Sequence, residues 1–508
     1  MLFYFRPVFQ KTAKTEKFLV PVTQFPIPRM RKIVLIFVGL VAALQAKTQQ
    51  KAGQENTNAQ VVVQTQKPLH PIHPDFWGTN FLYWVDDDAA LADGKIVQRL
   101  KDVNMKVLRY PGGTVADNFH WQTATLDNTN MFPYESGPAE TDFDEFMAQC
   151  KKVGATPSLV LNTESWAVKK DIPGGAHEAA NWLRYCKKKG YQVKYWEIGN
   201  ETYWHPVMSA DEYAHLVNVY ADSMRRVDPN VVLGVNGHWD VNFVGTKERI
   251  KESQLPRVLQ MRENITSRES YNAYKKFHEE NTIKPITTGE QKWWETVAGI
   301  CGKNVNMIIV HWYFGANQLP MVTRKLLEVR ELFAQKNPGK NYLLNLSEYN
   351  VLERNATSHL ELTEMVGAML EAKTDLAMLW PMRMAYKKPT LVDVKTAQPT
   401  MVYQIHRKLS QSLKGAVVPT EVKGDFAAFA STAANGKATV VLSGSKIDKV
   451  TPVTVLLAGA KSNATSCSVW RISGSEFDYQ VKEEKVAVKN GKAIINLSPL
   501  EVVVAELK

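Results

Sequence analysis

Eight short apolar runs between residues 76 and 383 are the sequence feature that most constrains the fold. Each has the length of a buried strand and is bounded by polar residues, Gly or Pro. The runs are FWGTNFLYW (76–84), MKVLRYPGG (105–113), TPSLVLN (156–162), QVKYWEIGN (192–200), VVLGVNG (231–237), VNMIIVHWY (305–313), NYLLNLSEYN (341–350) and DLAMLWPMR (375–383). Strands that are apolar throughout are typical of parallel sheets covered on both faces.

Helix-like stretches lie between most of these runs. They include DFDEFMAQCKKVG (142–154), GAHEAANWLRYCKKKG (175–190), ADEYAHLVNVYADSMRRVDP (210–229) and MVTRKLLEVRELFAQKN (321–337). Eight buried strands alternating with helices predict a protein of the α/β class, a (β/α)₈ TIM barrel. A doubly wound sheet fits less well, because no Gly-rich phosphate loop follows the first strand. The long gap 237–305 predicts an elaborated loop over the barrel mouth, whose Trp293-Trp294 pair forms either a substrate wall or local packing.

The texture changes after PTMVYQIHRKLSQSL (399–413), the predicted eighth helix. Short alternating strands with Gly and Asn turns follow, which is typical of an all-β sandwich. NAQVVVQTQKP (58–68) has the same texture ahead of the barrel. We therefore predict an N-terminal extension and signal peptide (1–46), a strand region joining the sandwich (47–70), a catalytic barrel (71–413) and a C-terminal β-sandwich (414–508).

The formal net charge of +11 does not indicate a nucleic-acid partner. More than half of it lies in residues 1–46, which hold seven Lys and Arg and one Glu, and the rest forms no basic stripe. Within that segment Met30-Arg31-Lys32 precedes IVLIFVGLVAALQA. A basic start, a short apolar core and small residues predict a secretory signal peptide cleaved after Ala46, with translation starting at Met30. An uncleaved anchor is the alternative, and no other run is long enough for a stable membrane span. The protein is expected to be secreted or periplasmic.

Four distant cysteines carry no metal-ligand spacing, so neither a metal nor a cofactor is predicted. Cys150 and Cys186, on consecutive predicted helices, are expected to be buried thiols or a disulfide pair.

Carboxylates follow two of the predicted strands. The fourth ends in Asn200-Glu201 and the seventh in Ser347-Glu348. In a (β/α)₈ barrel the chemistry lies at these carboxyl ends, and the fourth and seventh strands face each other across the mouth. Glycoside hydrolysis uses two such carboxyl groups: one donates a proton to the leaving group, and the other attacks the anomeric carbon. The sequence therefore predicts a glycosidase site, acting on oligosaccharide or polysaccharide.

Other acidic residues lie near these strand ends, and a separate role is predicted for each. Glu197 lies within the fourth strand and is predicted to be a buried structural partner. Glu164 could line the site, and Asp117 could bind sugar or cap the next segment. The run Asp86-Asp87-Asp88 is predicted to be solvated or to cap a helix.

WEIGNE and LSEYN, at the ends of these two strands, resemble the motif pair of the retaining glycosidases built on (β/α)₈ barrels. IHPDFWGTNF (72–81), LRYPGGTVADNFHW (108–121) and the C-terminal sandwich make the chain most similar to glycoside hydrolase family 51, the α-L-arabinofuranosidases. The resemblance covers about residues 58–508.

The resemblance implies a role for several residues. Glu201 matches the general acid/base and Glu348 the nucleophile. Asn200 matches a residue that bonds the sugar hydroxyl next to the anomeric carbon. Among the other substrate-binding candidates, His311 and Tyr313 match positions that orient the nucleophile and touch the sugar. Arg109 is expected to donate to Glu348, and Trp380 to offer an aromatic face to the sugar or to pack in the barrel.

Two positions depart from the family pattern. The arabinofuranosidases have a sugar-binding Glu shortly after the first strand, where this chain has Leu82, and usually an Asn where it has Thr114. In that family both positions contact the substrate and not the bond that is cleaved. The retaining mechanism is therefore better supported than specificity for arabinose. A β-xylosidase, a uronidase or an endo-glycanase such as an agarase stays open, as does a non-catalytic carbohydrate-binding protein. A metal-dependent hydrolase fits less well, because only His311 is suitably placed among the His residues.

Overall fold

The computed structural model describes residues 59–127, 141–204, 208–244, parts of 249–283, 292–384, 388–459 and 466–508. The predicted signal peptide lies outside these residues. No helix in the described part of the chain is long and apolar enough to cross a membrane.

Eight parallel strands close into a barrel, as predicted. They follow one another around it in chain order, and the eighth pairs with the first. The strands are β1 (Trp77–Asn80), β2 (Val107–Tyr110), β3 (Thr156–Leu161), β4 (Tyr195–Ile198), β5 (Val232–His238), β6 (Met307–Phe314), β7 (Leu343–Val351) and β8 (Leu376–Leu379). Each falls within a predicted run or extends one or two residues beyond it.

One long helix follows each strand and packs around the barrel. These helices are α1 (Lys95–Asp102), α2 (Phe143–Val153), α3 (Ile172–Lys189), α4 (Ala210–Arg225), α5 (Trp293–Ile300), α6 (Val322–Lys336), α7 (Ser358–Glu371) and α8 (Met401–Ser412). Local chemistry sets their ends: Asp142 and Glu145 form a capping box at the start of α2, and Gly154 ends it in the left-handed region. Further helices span Asp88–Leu91, Glu164–Val168 and Arg268–Asn281.

The Trp pair in the long segment after β5 packs inside the protein. Trp293 and Trp294 begin α5 and are fully buried. Their indole N–H groups donate to the carbonyls of Asn236 and His238 on β5. Of the two predicted roles, local packing is therefore the one observed.

The C-terminal strands form two sheets. The first has the order Thr420–Lys423, Gln60–Gln64, Thr451–Ala458 and Lys492–Leu497. The second has the order His70–Pro71, Ala416–Val418, Ala427–Thr432, Ala438–Ser443, Val502–Leu507, Ser466–Gly474 and Tyr479–Ala487. Alternating apolar side chains from both sheets share one core, including Val61, Val455, Val440 and Val503. The early strand Gln60–Gln64 thus joins the sandwich, as its texture predicted.

All four cysteines are buried free thiols, so Cys150 and Cys186 are not paired. Burial raises the pKa of the Cys186 thiol to about 12.

Candidate active site

The turn after β4 places Asn200 and Glu201 at the barrel mouth. Gly199 has φ of 76°, and a Cβ there would lie 2.6 Å from Thr163 Oγ1, so the tight turn requires glycine. Glu201 itself has φ of 47°, a left-handed conformation that is uncommon for a non-glycine residue. Such strain is typical of functional positions that the surrounding structure holds in place.

Two side chains hold this turn through its backbone. Asp117 accepts hydrogen bonds from the Asn200 N–H, at 3.0 and 3.1 Å, and from the Thr163 hydroxyl. Asn236 on β5 accepts one from the Thr202 N–H at 2.9 Å. Asp117 is 1% exposed and anchors the backbone of the turn after β4, a role that was not predicted from the sequence.

Glu348 lies within β7 and is 3% exposed. Arg109 NH1 donates to its Oε1 at 2.8 Å, and the Tyr313 hydroxyl donates to its Oε2 at 2.5 Å. Both oxygens of the carboxylate are therefore hydrogen-bonded by side chains from β2 and β6. Two donors from different strands, one of them cationic, fix the orientation of this carboxylate.

His311, on β6, connects the two carboxyl groups. Its Nδ1 lies 3.0 Å from Glu201 Oε1 and 3.7 Å from Glu348 Oε2, while its Nε2 is 2.9 Å from Ser347 Oγ. Burial lowers the pKa of His311, but the carboxylates of Glu348 and Glu201 outweigh burial, so its pKa is raised above the usual value. A proton on Nδ1 is therefore held at Glu201.

Arg109 lies beneath the site rather than at its surface. It is fully buried, and its Nε forms a 2.8 Å ion pair with Glu197 Oε2. Its NH1 also donates to Asn80, and its NH2 donates to Asn200 Oδ1 at 2.8 Å. The expected contact with Glu348 is present. Glu197 is the structural ion-pair partner that its place within β4 predicted.

The Asn200 amide is hydrogen-bonded at its oxygen, whereas its nitrogen has no partner among the described residues. Its Oδ1 accepts from Arg109, while its Nδ2 makes no hydrogen bond to any described residue although Asn200 is 1% exposed. A buried donor without a partner is costly, so it calls for a ligand. A sugar hydroxyl is an acceptor of the right kind.

Trp380 is half-buried just after β8. A Cβ on Gly113 would lie 2.7 Å from its Cη2, so the indole lies directly over the Pro-Gly-Gly turn after β2. The Asn350 amide donates to the Trp380 carbonyl. One purpose of the second glycine is therefore to make room for this ring.

Leu82 takes no part in the polar site. It is fully buried, and a Cβ on Gly112 would lie 2.4 Å from its Cδ2. Thr114 begins a 3₁₀ turn, Thr114–Asn118, and is partly buried. The chain thus offers no carboxylate at position 82.

The remaining acidic candidates differ in outcome. Glu164 is 8% exposed and begins the helix Glu164–Val168 after β3. Asp87 caps the helix Asp88–Leu91, as expected. The prediction of a solvated or capping residue was wrong for Asp86, which is fully buried and ion-paired with Arg383 at 2.8 Å. Asp86 and Arg383 are 297 residues apart, so no short stretch of sequence indicates this pair.

Several polar residues at the site were not predicted. Asn80 donates to the Ser347 carbonyl and accepts from Arg109, while Ser158 and Asn345 donate to Glu197 at 3.4 and 3.2 Å. These residues could have been found from the sequence as polar positions within otherwise apolar runs. A polar side chain inside a barrel needs a hydrogen-bond partner, so such a position indicates a buried polar contact.

In the described part of the chain, Glu201, His311 and Glu348 also form a group that could hold a metal ion. One ligand atom of each lies within 4.8 Å of the others. The same distance is short for two carboxyl groups, since inverting glycosidases keep theirs about 6.5–9.5 Å apart and retaining ones about 5–5.5 Å. The arrangement suits a sugar held between two carboxyl groups.

Part of the chain is similar to known proteins in sequence, and most of it is similar in fold. Residues 99–282 match the family model described as "Alpha-L-arabinofuranosidase 1 domain". A probable alpha-L-arabinofuranosidase C from Aspergillus niger is 30% identical over 182 residues, which are 28% of this chain and 33% of that protein. The matched part thus spans about a third of the curated relative's length.

Among solved structures, an α-L-arabinofuranosidase from Thermotoga maritima superimposes with a TM-score of 0.67 at 17% identity, covering 88% of this chain and 99% of that one. The chain is GH51-like in its fold. A bifunctional glucanase-xylanase from a metagenome library, CelM2, has the same fold, with a TM-score of 0.61 at 14% identity and coverage of 89% and 99%. The matched segment of this GH51-like chain begins in α1 and extends through β2–β5, and so includes Arg109, Asn200 and Glu201.

Proposed function

We propose that this GH51-like chain is a secreted retaining glycoside hydrolase, similar to the α-L-arabinofuranosidases, that acts on oligosaccharide or polysaccharide. The observation that carries the proposal is the pair Glu201 and Glu348, whose oxygens lie within 4.8 Å across the mouth. The curated relatives named for arabinofuranosidase activity support the choice of glycone.

In the first step Glu201 protonates the glycosidic oxygen while a Glu348 oxygen attacks the anomeric carbon. The bond to the leaving group breaks, and a covalent glycosyl ester forms on Glu348. In the second step Glu201 takes a proton from water, which attacks the same carbon and releases Glu348. His311 Nδ1, 3.0 Å from Glu201 Oε1, positions the carboxyl group that gives this proton to the leaving group and takes one back from water.

The other residues act on this chemistry through position and charge. Arg109 and Tyr313 keep Glu348 aligned before attack. Asn200 Nδ2 donates to the hydroxyl next to the anomeric carbon, a contact that strengthens in the transition state. Trp380 presents its ring to the sugar C–H groups. None of these steps uses a metal or a cofactor.

A nucleophile replacement tests the mechanism. Glu348→Gly should abolish hydrolysis of an aryl α-L-arabinofuranoside, and added azide should restore turnover by forming a glycosyl azide of inverted configuration. Glu353→Gly, which removes an exposed carboxylate from the loop after β7, is the control and should stay active. Unimpaired hydrolysis by Glu348→Gly would contradict the proposed nucleophile.

A second candidate function keeps the mechanism and changes the glycan. Leu82 and Thr114 stand where the arabinofuranosidases place sugar-binding residues, and CelM2, of the same fold, is described as a glucanase-xylanase. A panel of aryl α-L-arabinofuranoside, β-xyloside, β-glucuronide and β-galactoside, together with plant and algal polysaccharides, separates the candidates. Release of long fragments from polysaccharide would indicate an endo-acting enzyme.

Secretion is tested separately. The proposal expects the exported protein to begin at Lys47, after removal of the apolar segment that ends at Ala46. Mass spectrometry of the exported chain checks this, and an intact apolar segment would indicate an anchor instead.

A further inference from the structure

We propose that an aromatic surface beside Glu201 binds a neutral sugar ring of the leaving group, so that the natural substrate continues on that side of the cleaved bond. The surface consists of Trp204, His238, Trp239 and Phe243 and is called the aromatic wall below. The inference rests on the proposed function.

The wall is built from the last residue of β5 and from the segments that follow β4 and β5. Trp204 stands edge-on to His238 and Phe243, at ring-centre distances of 5.3 and 5.2 Å. His238 and Phe243 are stacked at 4.4 Å. Trp239 stacks on Trp312 of β6, at 4.7 Å with 8° between the planes. The four rings therefore form one continuous cluster.

Trp204 is exposed more than its size predicts. Its relative exposure is 46%, whereas the other large aromatic residues that the structure describes at this end of the barrel are buried or half-buried. Exposed tryptophan at a concave, mostly apolar site is typical of ligand recognition, because the ring offers a large rigid face at low entropic cost.

Hydrogen bonds from neighbouring residues fix the backbone and side chains of the wall in place. The Trp294 indole donates to the His238 carbonyl, and the Trp293 N–H donates to the Phe243 carbonyl at 2.8 Å. His238 Nδ1 accepts from the Asp240 N–H at 3.0 Å, and Lys325 forms a 3.0 Å ion pair with Asp240. A rigid surface of this kind loses little entropy when a ring stacks on it.

The wall carries no charge of its own at neutral pH. Burial lowers the pKa of His238 to about 4, although Asp240 acts in the opposite direction. Four neutral rings suit the C–H face of a neutral sugar. Lys325, near the wall, is already paired with Asp240 and Glu328.

The position relative to Glu201 assigns the wall to the leaving group. The Trp204 N–H donates to the Glu201 carbonyl at 2.7 Å, so the wall begins one turn beyond the proposed acid. Tyr203, between them, is buried and packs against His238 and Phe243. The acid donates to the glycosidic oxygen, and the group attached to that oxygen must therefore lie on this side of the site.

Two substrates that share a glycone separate binding at the wall from catalysis. One is an oligosaccharide of neutral sugars, and the other is the glycosyl fluoride, whose leaving group is a single atom that cannot reach the wall. Trp204→Ala should lower kcat/KM for the oligosaccharide about tenfold, as expected for the loss of one stacking contact of about 1–1.5 kcal/mol. Hydrolysis of the fluoride should change less than about twofold.

The control is Phe477→Ala, which removes a similarly exposed aromatic ring from the sandwich domain and should leave both rates unchanged. Trp204→Phe should restore much of the oligosaccharide rate, and equal melting temperatures would show that the variants fold. Equal losses on both substrates, or no loss on either, would overturn the inference while leaving the proposed function intact. If the unmodified protein hydrolyses neither, the proposed function fails and the inference fails with it.

Discussion

Arg109 Nε and Glu197 Oε2 lie 2.8 Å apart in a completely buried ion pair beneath the two site carboxylates. The remaining nitrogens of Arg109 hold Asn80, Asn200 and Glu348. Glu197 thus compensates the charge of a cation that positions groups on both β4 and β7. The pair links the stability of the barrel interior to the alignment of the site.

Glu197→Gln should reduce both stability and activity. It keeps the shape of the side chain but leaves Arg109 with one carboxylate instead of two. Breaking a buried pair costs about 3–5 kcal/mol, and the remaining amide oxygen should recover part of that. We expect a lower melting temperature and a lower kcat with little change in KM. Glu295→Gln, at an exposed ion pair with Lys336, is the control and should cost less than about 1 kcal/mol. A variant with normal kcat would contradict the positioning role.

Tyr313→Phe should lower activity without unfolding the protein. It removes the hydroxyl that donates to Glu348 Oε2 at 2.5 Å. A hydrogen bond to a charged group contributes about 1.5–3 kcal/mol, so kcat/KM should fall about 10- to 100-fold. Tyr349→Phe is the matched control, because that hydroxyl bonds His406 on α8. If both variants lost the same activity, the effect would be one of folding.

The stability of the protein should fall as the pH rises from about 6.5 to about 9. His120 lies between Glu178 at 2.8 Å and Asp127 at 3.1 Å. Burial lowers its pKa, but hydrogen bonds to the two carboxylates outweigh burial and raise the pKa to about 9. A group whose pKa is raised by folding stabilises the folded state below its unfolded pKa, near 6.5, and that contribution disappears as pH rises through the folded pKa.

Urea unfolding at pH 6.5 and 9.5 measures this effect. We expect a difference of about 1–2 kcal/mol after allowance for partial exposure of His120. The variant His120→Gln should show a flatter dependence over the same range. Parallel curves for the two proteins would assign the pH dependence to another group.

Chelation should leave the rate unchanged, whereas zinc should inhibit. The proposed mechanism needs no metal, so EDTA should change kcat/KM by less than about twofold. The ligand atoms of Glu201, His311 and Glu348 lie within 4.8 Å of one another and suit Zn²⁺, which should compete with substrate and be removed by EDTA. Mg²⁺ prefers oxygen ligands in octahedral geometry and serves as the control. Activity lost on chelation and restored by a metal would contradict the mechanism.

The barrel could be predicted because its strands are continuous apolar runs. Such runs can be recognised in the sequence without knowing which strand each one pairs with. The edges of elements could not be placed as well: α3 was expected from residue 175 but begins at Ile172, where Asp171 caps it and Pro173 occupies the first turn. The strand Gln60–Gln64 was recognised from its alternation. Its parallel pairing with Thr451–Ala458 was not, because pairing depends on residues about 390 positions away.

Part of the site could likewise be predicted from the sequence, and part could not. Glu201 and Glu348 could be singled out because a barrel brings strand ends together by topology alone. The fully buried position of Arg109, the Asp86 pair with Arg383 and the burial of Leu82 all depend on contacts between distant loops. Such contacts are set by packing and have no signature within a short window of sequence.

The strand Gln60–Gln64 has a consequence for the order of assembly. It lies in the interior of its sheet, between Thr420–Lys423 and Thr451–Ala458. The last domain of the chain is therefore incomplete until a segment synthesised before the barrel reaches it, and a fragment containing only residues 414–508 would expose two unpaired strand edges where this strand belongs. The two ends of the chain must meet late, after some 390 intervening residues have been made, which ties completion of the sandwich to completion of the barrel.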